Sequence, residues 1–186
     1  MGGLLNENSP QKYHEHHLHY HIRSATETDA KSLSEVRLQI DGETEHLDRE
    51  QGEAYINELG FKQIIKDDTE HMNHLFLVAE VNEKIVGFAR CEGSSLKRTA
   101  HKVEFGVCVL KKYWGYGIGK NLLTESIRWA DANRIKKMTL SVLETNQKAI
   151  KLYEKYGFEV EGILKKDKRH SDGNYYHTIL MARFHG

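Results

Sequence analysis

The sequence predicts an α/β fold of one domain, in which helices flank a mixed, mostly antiparallel sheet. From residue 20 onward the hydrophobic pattern gives the element order β-α-α-β-β-β-α-β-α-β-β. The three strand-like runs in the middle of the chain predict antiparallel neighbours, since a tight turn joins the first two. A length of 186 residues with 39% hydrophobic content suits one domain with a sizeable core.

Residues 1–17 are predicted to be a polar tail, and residues 18–186 a single domain. The tail contains the only proline, Pro10, and histidines at positions 14, 16 and 17, and the series continues at 19 and 21. Alternate histidines on one strand face could hold a transition metal. Because no cysteine or carboxylate pattern accompanies them, we expect no metal site.

The first half of the domain begins with a strand through Ile22 and a helix capped by Thr26 or Thr28. This helix should turn its apolar face inward, namely Ala30, Leu33, Val36 and Ile40. A second helical region is predicted over residues 48–66, with Gly60 as a kink or break. Its candidate core positions are Tyr55, Ile56, Leu59 and Ile64.

The middle of the chain is rich in β-formers. Residues 74–81 and 84–91 predict a hairpin across Asn82-Glu83, and residues 101–110 predict the third strand. A strand over 137–143 follows later, then a helix opened by Thr145 or Asn146 and closed by Gly157. Residues 158–164 and 175–184 predict two last strands, joined by a charged loop over 165–173.

Three glycines at alternate positions follow the third strand, in the segment Tyr113-Trp114-Gly115-Tyr116-Gly117-Ile118-Gly119-Lys120. An amphipathic helix comes next. Glycines allow close approach of a ligand to the backbone, and the first helical turn adds unpaired N–H donors and partial positive charge. The spacing fits neither a Walker loop nor the dinucleotide-binding fingerprint. We therefore expect a pyrophosphate site of another kind, with a ligand-free glycine turn as the alternative.

Charge and composition narrow the function classes. The 27 basic and 27 acidic residues balance, which argues against a general nucleic-acid binder. No stretch reaches the roughly 20 apolar residues of a membrane span, so we expect a cytoplasmic protein without membrane attachment. Cys91 and Cys108 lie in strand-like runs and are expected to be buried thiols without a disulfide.

Together, the element order, the strand-loop-helix over residues 107–119 and the later run LSVLETNQKAIKLYEKYGFEVEG resemble the GNAT superfamily of acyl-CoA-dependent N-acetyltransferases. The resemblance covers about residues 20–184. It implies a central mixed sheet flanked by helices, with acetyl-CoA as cosubstrate. The run from Asp172 to Met181 is similar to the ending of small-molecule members that act on amino acids, phosphinothricin or polyamines.

The resemblance also implies roles for individual residues. Val107 and Val109 would bond the pantetheine arm through their backbones, and Asn146 would face the cofactor. Tyr153 would be the general acid that protonates the departing thiolate. The pyrophosphate would be bound by Trp114, Gly115, Tyr116, Gly117, Ile118, Gly119 and Lys120. The chain departs from the family where Trp114 replaces an Arg or Gln and where His177 replaces an Asp.

Acetyl transfer to an amine requires three kinds of help. A primary amine with a pKa of about 10.4 must lose a proton, for which His101 and Glu104 are the candidate bases. The family implies that the backbone N–H of Val109 binds the oxyanion. Direct attack in a ternary complex needs no metal.

The acceptor is predicted to be a small-molecule amine. A protein N-terminus or lysine is the alternative acceptor, and a CoA-binding sensor without turnover is the alternative function. An acidic cluster could attract a cationic amine or could simply be solvated: Asp41, Glu43, Glu45, Asp48, Glu50 and Glu53. The resemblance further suggests a homodimer.

Overall fold

A computed structural model describes residues 10–186 and shows one eight-stranded sheet in the order β1-β2-β3-β4-β5-β6-β8-β7. The strands are β1 Gln11–Glu15, β2 Leu18–Ser24, β3 Leu75–Val81, β4 Lys84–Gly93, β5 Lys102–Val109, β6 Lys137–Leu143, β7 Glu159–Arg169 and β8 Tyr175–Phe184. The helices are α1 Ala30–Asp41, α2 Glu58–Glu70, α3 Ile118–Ala132 and α4 Gln147–Lys155. Only β5 and β6 pair in parallel among these strands, which confirms the predicted mixed, mostly antiparallel sheet.

Helices cover both faces of the sheet, and β3 shows how the sequence divides them. Leu77 and Ala79 point to a larger core that includes Leu122 and Leu123 of α3. Phe76 and Val78, one residue out of phase, point to a smaller core with residues of α1 and α2. Successive side chains of a strand face opposite sides, so an almost continuous apolar run is needed where both faces are covered.

The turns agree with the predicted boundaries. Asn82 and Glu83 have φ values of 47° and 61°, as a tight hairpin of this kind requires. Gly157 has a φ of 85° just after α4, and the Phe158 N–H donates to the Tyr153 carbonyl, so this glycine closes the helix.

The structure differs from the predicted tail because Gln11–Glu15 forms β1 and pairs antiparallel with β2. Alternation explains the difference: Lys12 and His14 are exposed, whereas Tyr13 is half-buried, stacks on Tyr20 and donates a hydrogen bond to Glu125 of α3. Residues 1–9 of the predicted tail lie outside the described residues.

The second helix begins later than predicted. Asn57 is its N-cap, with its side-chain oxygen accepting from the Gly60 N–H at 2.9 Å, so Gly60 lies in the first turn and breaks nothing. Tyr55 and Leu59 are 56% and 73% exposed, and their prediction as core residues was wrong. The helix instead buries Phe61 and Ile65 against α1 and β3.

The last hairpin is longer than predicted. β7 continues to Arg169, and register shifts between Val160 and Gly162 and between Leu164 and Lys168 absorb the mismatch with β8. The predicted charged loop is therefore a strand over its first half. Its tip reaches back to the α1–α2 connection, where Lys168 pairs with Asp48 and the Ser171 N–H donates to Glu45.

Candidate active site

The two parallel strands separate after a short contact. β5 pairs with β4 over seven residues, Val103 to Val109, but its register with β6 ends at Glu104 and Thr139. Beyond that point β6 continues to Leu143 beside β8, so a wedge opens between β5 and β6. The second half of β5 consequently presents a backbone edge that β6 does not cover.

Val107 and Val109 belong to that uncovered edge. The Leu110 N–H donates to the Val86 carbonyl, which sets the even-numbered residues of β5 as the ones bonded to β4. The backbone groups of the odd-numbered residues therefore point toward β6. Two side chains support this direction, since Thr139 Oγ1 donates to the Val103 carbonyl and Trp114 Nε1 donates to the Val109 carbonyl at 2.8 Å.

The glycine-containing segment over residues 113–120, called the glycine turn below, follows β5 directly beyond the wedge. Gly115 and Gly117 have φ values of 88° and 76°, and Gly117 is the N-cap of α3. A Cβ at Gly119 would meet no heavy atom closer than 3.9 Å, and a Cβ at Gly115 would meet none within 4 Å, so bare backbone is open to a ligand. Trp114, 44% exposed, braces this turn through its bond to Val109.

One carboxylate of the chain reaches the same turn. Glu15 at the end of β1 accepts from Lys120 Nζ at 2.7 Å and from Asn121 Nδ2 at 3.0 Å. A Cβ at Gly117 would lie 2.0 Å from Glu15 Oε2. The hydrogen bond from Lys120 lowers the pKa of Glu15, so it is an anion at neutral pH. The start of α3 thus already accommodates negative charge.

Tyr153 lies on the inward face of α4, where it packs against Phe158. Burial raises the pKa of its phenol to about 12, and no described residue hydrogen-bonds its hydroxyl. Cys108 of β5 is close enough to affect this pKa electrostatically, which places the phenol near the wedge. Asn146 caps the same helix, accepting from the Ala149 N–H at 3.3 Å.

The two cysteines are free thiols, Cys91 buried and Cys108 half-buried. Burial raises the pKa of each thiol to about 12. A thiol with such a pKa is protonated at neutral pH and is a poor nucleophile.

An open cleft of about 380 Å³ adjoins the wedge. Its walls come from the α1–α2 connection, the start of the glycine turn, the residue before Asn146 and the tip of the last hairpin. The lining residues are Glu43, Thr44, Glu45, His46, Lys111, Trp114, Thr145, His170 and Tyr176.

The acidic residues around this cleft are mostly engaged with the chain itself. Asp41 accepts two bonds from Arg49, Glu43 accepts from the Lys111 N–H, and Glu45 accepts from the Ser171 N–H. These contacts favour a structural role for the acidic cluster, because its carboxylates tie the α1–α2 connection to the neighbouring loops.

Two histidines in the cleft were not predicted as site residues. Nδ1 of His46 and Nε2 of His170 are buried and have no hydrogen-bond partner. Burial lowers the pKa of His46, and the nearby His170 lowers it further, so its imidazole is neutral at pH 7. His46 also stacks near Trp114, with 6.5 Å between ring centroids. No local sequence signal distinguishes His46 from the other histidines; the fold alone brings it to Trp114.

The structure does not bring His101 to this end of the sheet. His101 lies in the turn before β5, at the end where β5 and β6 still pair, and Val109 is about 27 Å further along the strand. Glu104 is exposed and shares a face with Cys108, about 14 Å away along β5. Val107, Val109 and the glycine turn lie along or just beyond the wedge, and Tyr153 lies near it. His101 lies outside the wedge, and Glu104 lies at its closed end, where β5 and β6 stop pairing.

The glycine turn and the α4 cap lie in the two segments that carry the family resemblance, and comparison with known proteins bears on the family. A model of the acetyltransferase (GNAT) family matches residues 38–158, about two thirds of the chain. The chain belongs to the GNAT acetyltransferase family. The family prediction is thereby confirmed.

Among curated relatives, the chain is 35% identical over 108 residues to an L-amino acid N-acetyltransferase of Escherichia coli. That alignment covers 58% of this chain and 66% of the relative, so it spans less than two thirds of the relative's own length.

Two solved structures superpose on most of this chain. An acetyltransferase of the GNAT family from Streptococcus pneumoniae superposes with a TM-score of 0.86 at 28% identity, covering 89% of this chain and 99% of that one. A phosphinothricin acetyltransferase from Sinorhizobium meliloti, solved in complex with acetyl-CoA, gives a TM-score of 0.78 at 22% identity, covering 89% and 88%. Each superposition covers 89% of this chain.

Other features of this GNAT domain concern membranes and metals. Within residues 10–186, no helix is both long and apolar enough to cross a bilayer. In the same part of the chain, no three His, Cys, Asp or Glu side chains cluster in a way that could hold a metal ion.

Proposed function

We propose that this protein is an acetyl-CoA-dependent N-acetyltransferase that acetylates the primary amine of a small molecule by direct attack in a ternary complex. The observation that carries the proposal is the wedge between β5 and β6, whose uncovered edge leads straight into the glycine turn at the start of α3. Acetyl-CoA supplies an acetyl group already activated as a thioester.

The backbone of this chain fits such a cosubstrate. Val107 offers an N–H and a carbonyl at the uncovered edge, the same pattern that a further strand would use, and an extended amide-containing arm can pair with it. Gly115 and Gly119 leave space for phosphate oxygens to approach the backbone N–H groups at the start of α3. Lys120 adds a positive charge there once its bond to Glu15 opens.

The oxyanion and the leaving thiolate each have a candidate donor. The Val109 N–H points into the wedge, while the carbonyl of the same residue is occupied by the Trp114 indole, so the edge presents a donor at this point. The Tyr153 phenol is held as a neutral donor by burial. A phenol in that form can protonate a departing thiolate, whose own reference pKa is about 8.5.

The base is best assigned to His46. The neutral imidazole of His46 lines the cleft and can accept a proton from an incoming ammonium group, directly or through one water molecule. Its place beside Trp114 puts it within the cleft that adjoins Val109, which neither His101 nor Glu104 shares.

The experiment is thiol release from acetyl-CoA in the presence of a panel of amines, polyamines, amino acids and peptides, with the parent protein and Tyr153→Phe compared. The proposal expects at least one small amine to raise thiol release, and expects the variant to lose that increase. Stimulation by peptides alone would favour a protein acceptor. If acetyl-CoA binds and no acceptor raises thiol release, the chain is a CoA-binding sensor.

The cytoplasmic location and the homodimer stay proposals with tests of their own. Fractionation of cells that produce the full chain addresses the first. Sedimentation velocity addresses the second, and a single species of about 21.5 kDa would contradict a dimer.

A further inference from the structure

One guanidinium of α1, the helix that leads into a wall of the cleft, is buried and makes no hydrogen bond or ion pair with a carboxylate. Arg37 is 8% exposed, and its only hydrogen bond to a described residue runs from Nη1 to the Ala54 carbonyl at 2.8 Å. Arg37 forms no salt bridge with any described residue. A buried charge without its own ion-pair partner is strongly unfavourable, so a fold that retains one has a reason to do so.

Other arginines of the chain show what an ordinary arrangement looks like. They are less buried than Arg37, yet each forms a salt bridge with at least one carboxylate: Arg23 with Asp29 and Glu80, Arg49 with Asp41, Arg90 with Asp68 and Glu92, Arg183 with Asp131. The exposed Arg98, Arg134 and Arg169 also form no salt bridge with a described residue, but water solvates their charge. Arg37 is the one buried arginine of the described residues, and it has no carboxylate bond.

The neighbouring carboxylate is already taken. Both oxygens of Asp41 accept bonds from Arg49, at 3.2 Å and 3.0 Å, and Asp41 is buried as well. Burial lowers the pKa of Arg37 and repulsion from Arg49 lowers it further, while the nearby Asp41 carboxylate offsets only part of this effect. Two guanidiniums and one carboxylate leave a net positive charge facing inward.

This charge lies against the face of the sheet where the acceptor would enter. Both guanidiniums interact electrostatically with the Cys108 thiol, which lies on β5 between Val107 and Val109. The residues that follow α1, Glu43 to His46, form one wall of the cleft described above. An anionic group bound at Arg37 would therefore be close to the edge where the acetyl group is expected.

We propose that Arg37 binds a carboxylate of the acceptor, so that the acceptor of this enzyme is an amino acid or a closely related amino carboxylate. The inference rests on the acetyltransferase function proposed above and specifies its substrate class. An acceptor carboxylate supplies the missing counter-charge, and the planar guanidinium has N–H donors to spare for a bidentate bond. The amine of the same molecule is then held at a short, fixed distance from the Val109 edge.

The test compares matched acceptors that differ in the carboxylate, with each rate referred to the concentration of free amine, because loss of the carboxylate also changes the pKa of the amine. Each of a set of L-amino acids is assayed beside its carboxamide and its decarboxylated amine. For the best amino acid we expect kcat/KM to exceed that of its carboxamide by about 10- to 100-fold, since a charge-assisted bond is lost in the neutral analogue. Equal or faster acetylation of the carboxamide or the amine would overturn the proposal while leaving the acetyltransferase function intact.

Two variants assign the preference to the residue. Arg37→Gln keeps an N–H donor for the Ala54 carbonyl but removes the charge, and we expect it to abolish the preference for the acid with little change for the carboxamide. Arg37→Lys should retain part of the preference, which keeps the test informative if the Gln variant fails to fold. The control is Arg98→Gln, which changes an exposed arginine in the loop between β4 and β5. A preference that survives in both Arg37 variants would contradict the assignment.

Binding gives a readout that does not require turnover. Calorimetric titration of the CoA-loaded protein with the N-acetylated amino acid and with its carboxamide should show tighter binding of the acid, by a similar factor, in the parent and not in Arg37→Gln. Equal affinities would overturn the proposal. Selective binding of the acid without acetylation of any amine would support the carboxylate site and contradict the proposed catalysis, so the two failures can be told apart.

Discussion

Glu15 Oε1 accepts a hydrogen bond from Lys120 Nζ over 2.7 Å, and this pair joins the first strand of the sheet to the turn proposed for pyrophosphate. The carboxylate and a bound diphosphate would compete for the same lysine and would repel each other at close range. We therefore expect the strand that contributes Glu15 to set part of the affinity for acetyl-CoA.

The first prediction concerns this pair. Glu15→Gln should bind acetyl-CoA about 3- to 10-fold more tightly, because Lys120 is released and the repulsion disappears. Its stability should fall by no more than about 1 kcal/mol, as is usual for an ion pair near the surface. Calorimetric titration measures the affinity, and thermal unfolding measures the stability.

The control for this change is Glu161→Gln, which breaks a similar ion pair between Glu161 of β7 and Lys137 of β6. β7 is the edge strand opposite β1. It should leave the affinity for acetyl-CoA unchanged. An unchanged or weaker affinity in Glu15→Gln would mean that Glu15 does not compete with the diphosphate.

The second prediction concerns the proposed acid. Tyr153→Phe should lower kcat by about 100-fold or more and change the dissociation constant of acetyl-CoA by less than about twofold, because the phenol acts only as the thiolate leaves. Tyr156→Phe is the control. Tyr156 is the C-cap of α4, three residues after Tyr153, and its hydroxyl accepts a hydrogen bond from Thr124. A kcat for Tyr153→Phe within threefold of the parent would remove Tyr153 from the mechanism.

Short-range patterns in the sequence predicted the glycine turn and the helix start at Thr145 or Asn146, because a strand end and a helix end have signals within a few residues. The roles of Asn146 and Tyr153 came instead from the resemblance to the GNAT family. The hairpin at Asn82 and the close of α4 at Gly157 followed from the same kind of local chemistry. At these turns and helix ends, the residues at the position itself determine the backbone conformation, so the sequence predicts it.

The residues that the sequence did not reveal depend on long-range packing. Glu15 and Lys120 are 105 positions apart, and the strand that carries Glu15 was predicted as a tail. His46 and Arg37 have no distinctive neighbours in sequence; their orphaned or unpaired polar groups become visible only when the surrounding elements are assembled. His101 and Glu104 were candidate bases because they were predicted on the strand beside the cofactor. A strand advances about 3.4 Å per residue, so both lie well before Val109, at the other end of that strand.

The third prediction tests the glycine turn itself. Gly119→Ala should fold at least as stably as the parent, since its Cβ would be 3.9 Å from the nearest heavy atom and alanine favours a helix. It should nevertheless weaken acetyl-CoA binding by about tenfold, because the methyl group blocks the approach of a phosphate to the backbone. Calorimetry and thermal unfolding on one sample separate the two effects.

Gly117→Ala provides the contrast for that variant. Its φ of 76° is costly for alanine, and its Cβ would collide with Glu15, so we expect a stability loss of about 1–3 kcal/mol. Binding of acetyl-CoA to Gly119→Ala with the parent's affinity would show that no phosphate contacts the turn at this position.

The fourth prediction is a pH dependence that identifies the base. Burial lowers the pKa of His46, so its neutral form, the one that accepts a proton, persists below the usual histidine value of about 6.5. Activity of the parent should accordingly hold as the pH falls to about 6.5 and decline only below it. For His46→Asn we expect kcat/KM at pH 7 to drop by about 10- to 100-fold, and the deficit to shrink as the pH rises toward the pKa of the acceptor amine, where the free amine no longer needs a base.

Two matched variants decide whether this profile belongs to His46. His101→Asn and Glu104→Gln remove the bases expected from sequence, and both should keep the parent's profile because neither side chain lies at the cleft. The same deficit in either of them, closing at high pH, would move the base to that residue and away from His46. A deficit in His46→Asn that stays constant from pH 6 to pH 10 would instead mean that the imidazole positions the acceptor or Trp114, since only a group that takes up the proton becomes dispensable when the amine has already lost it.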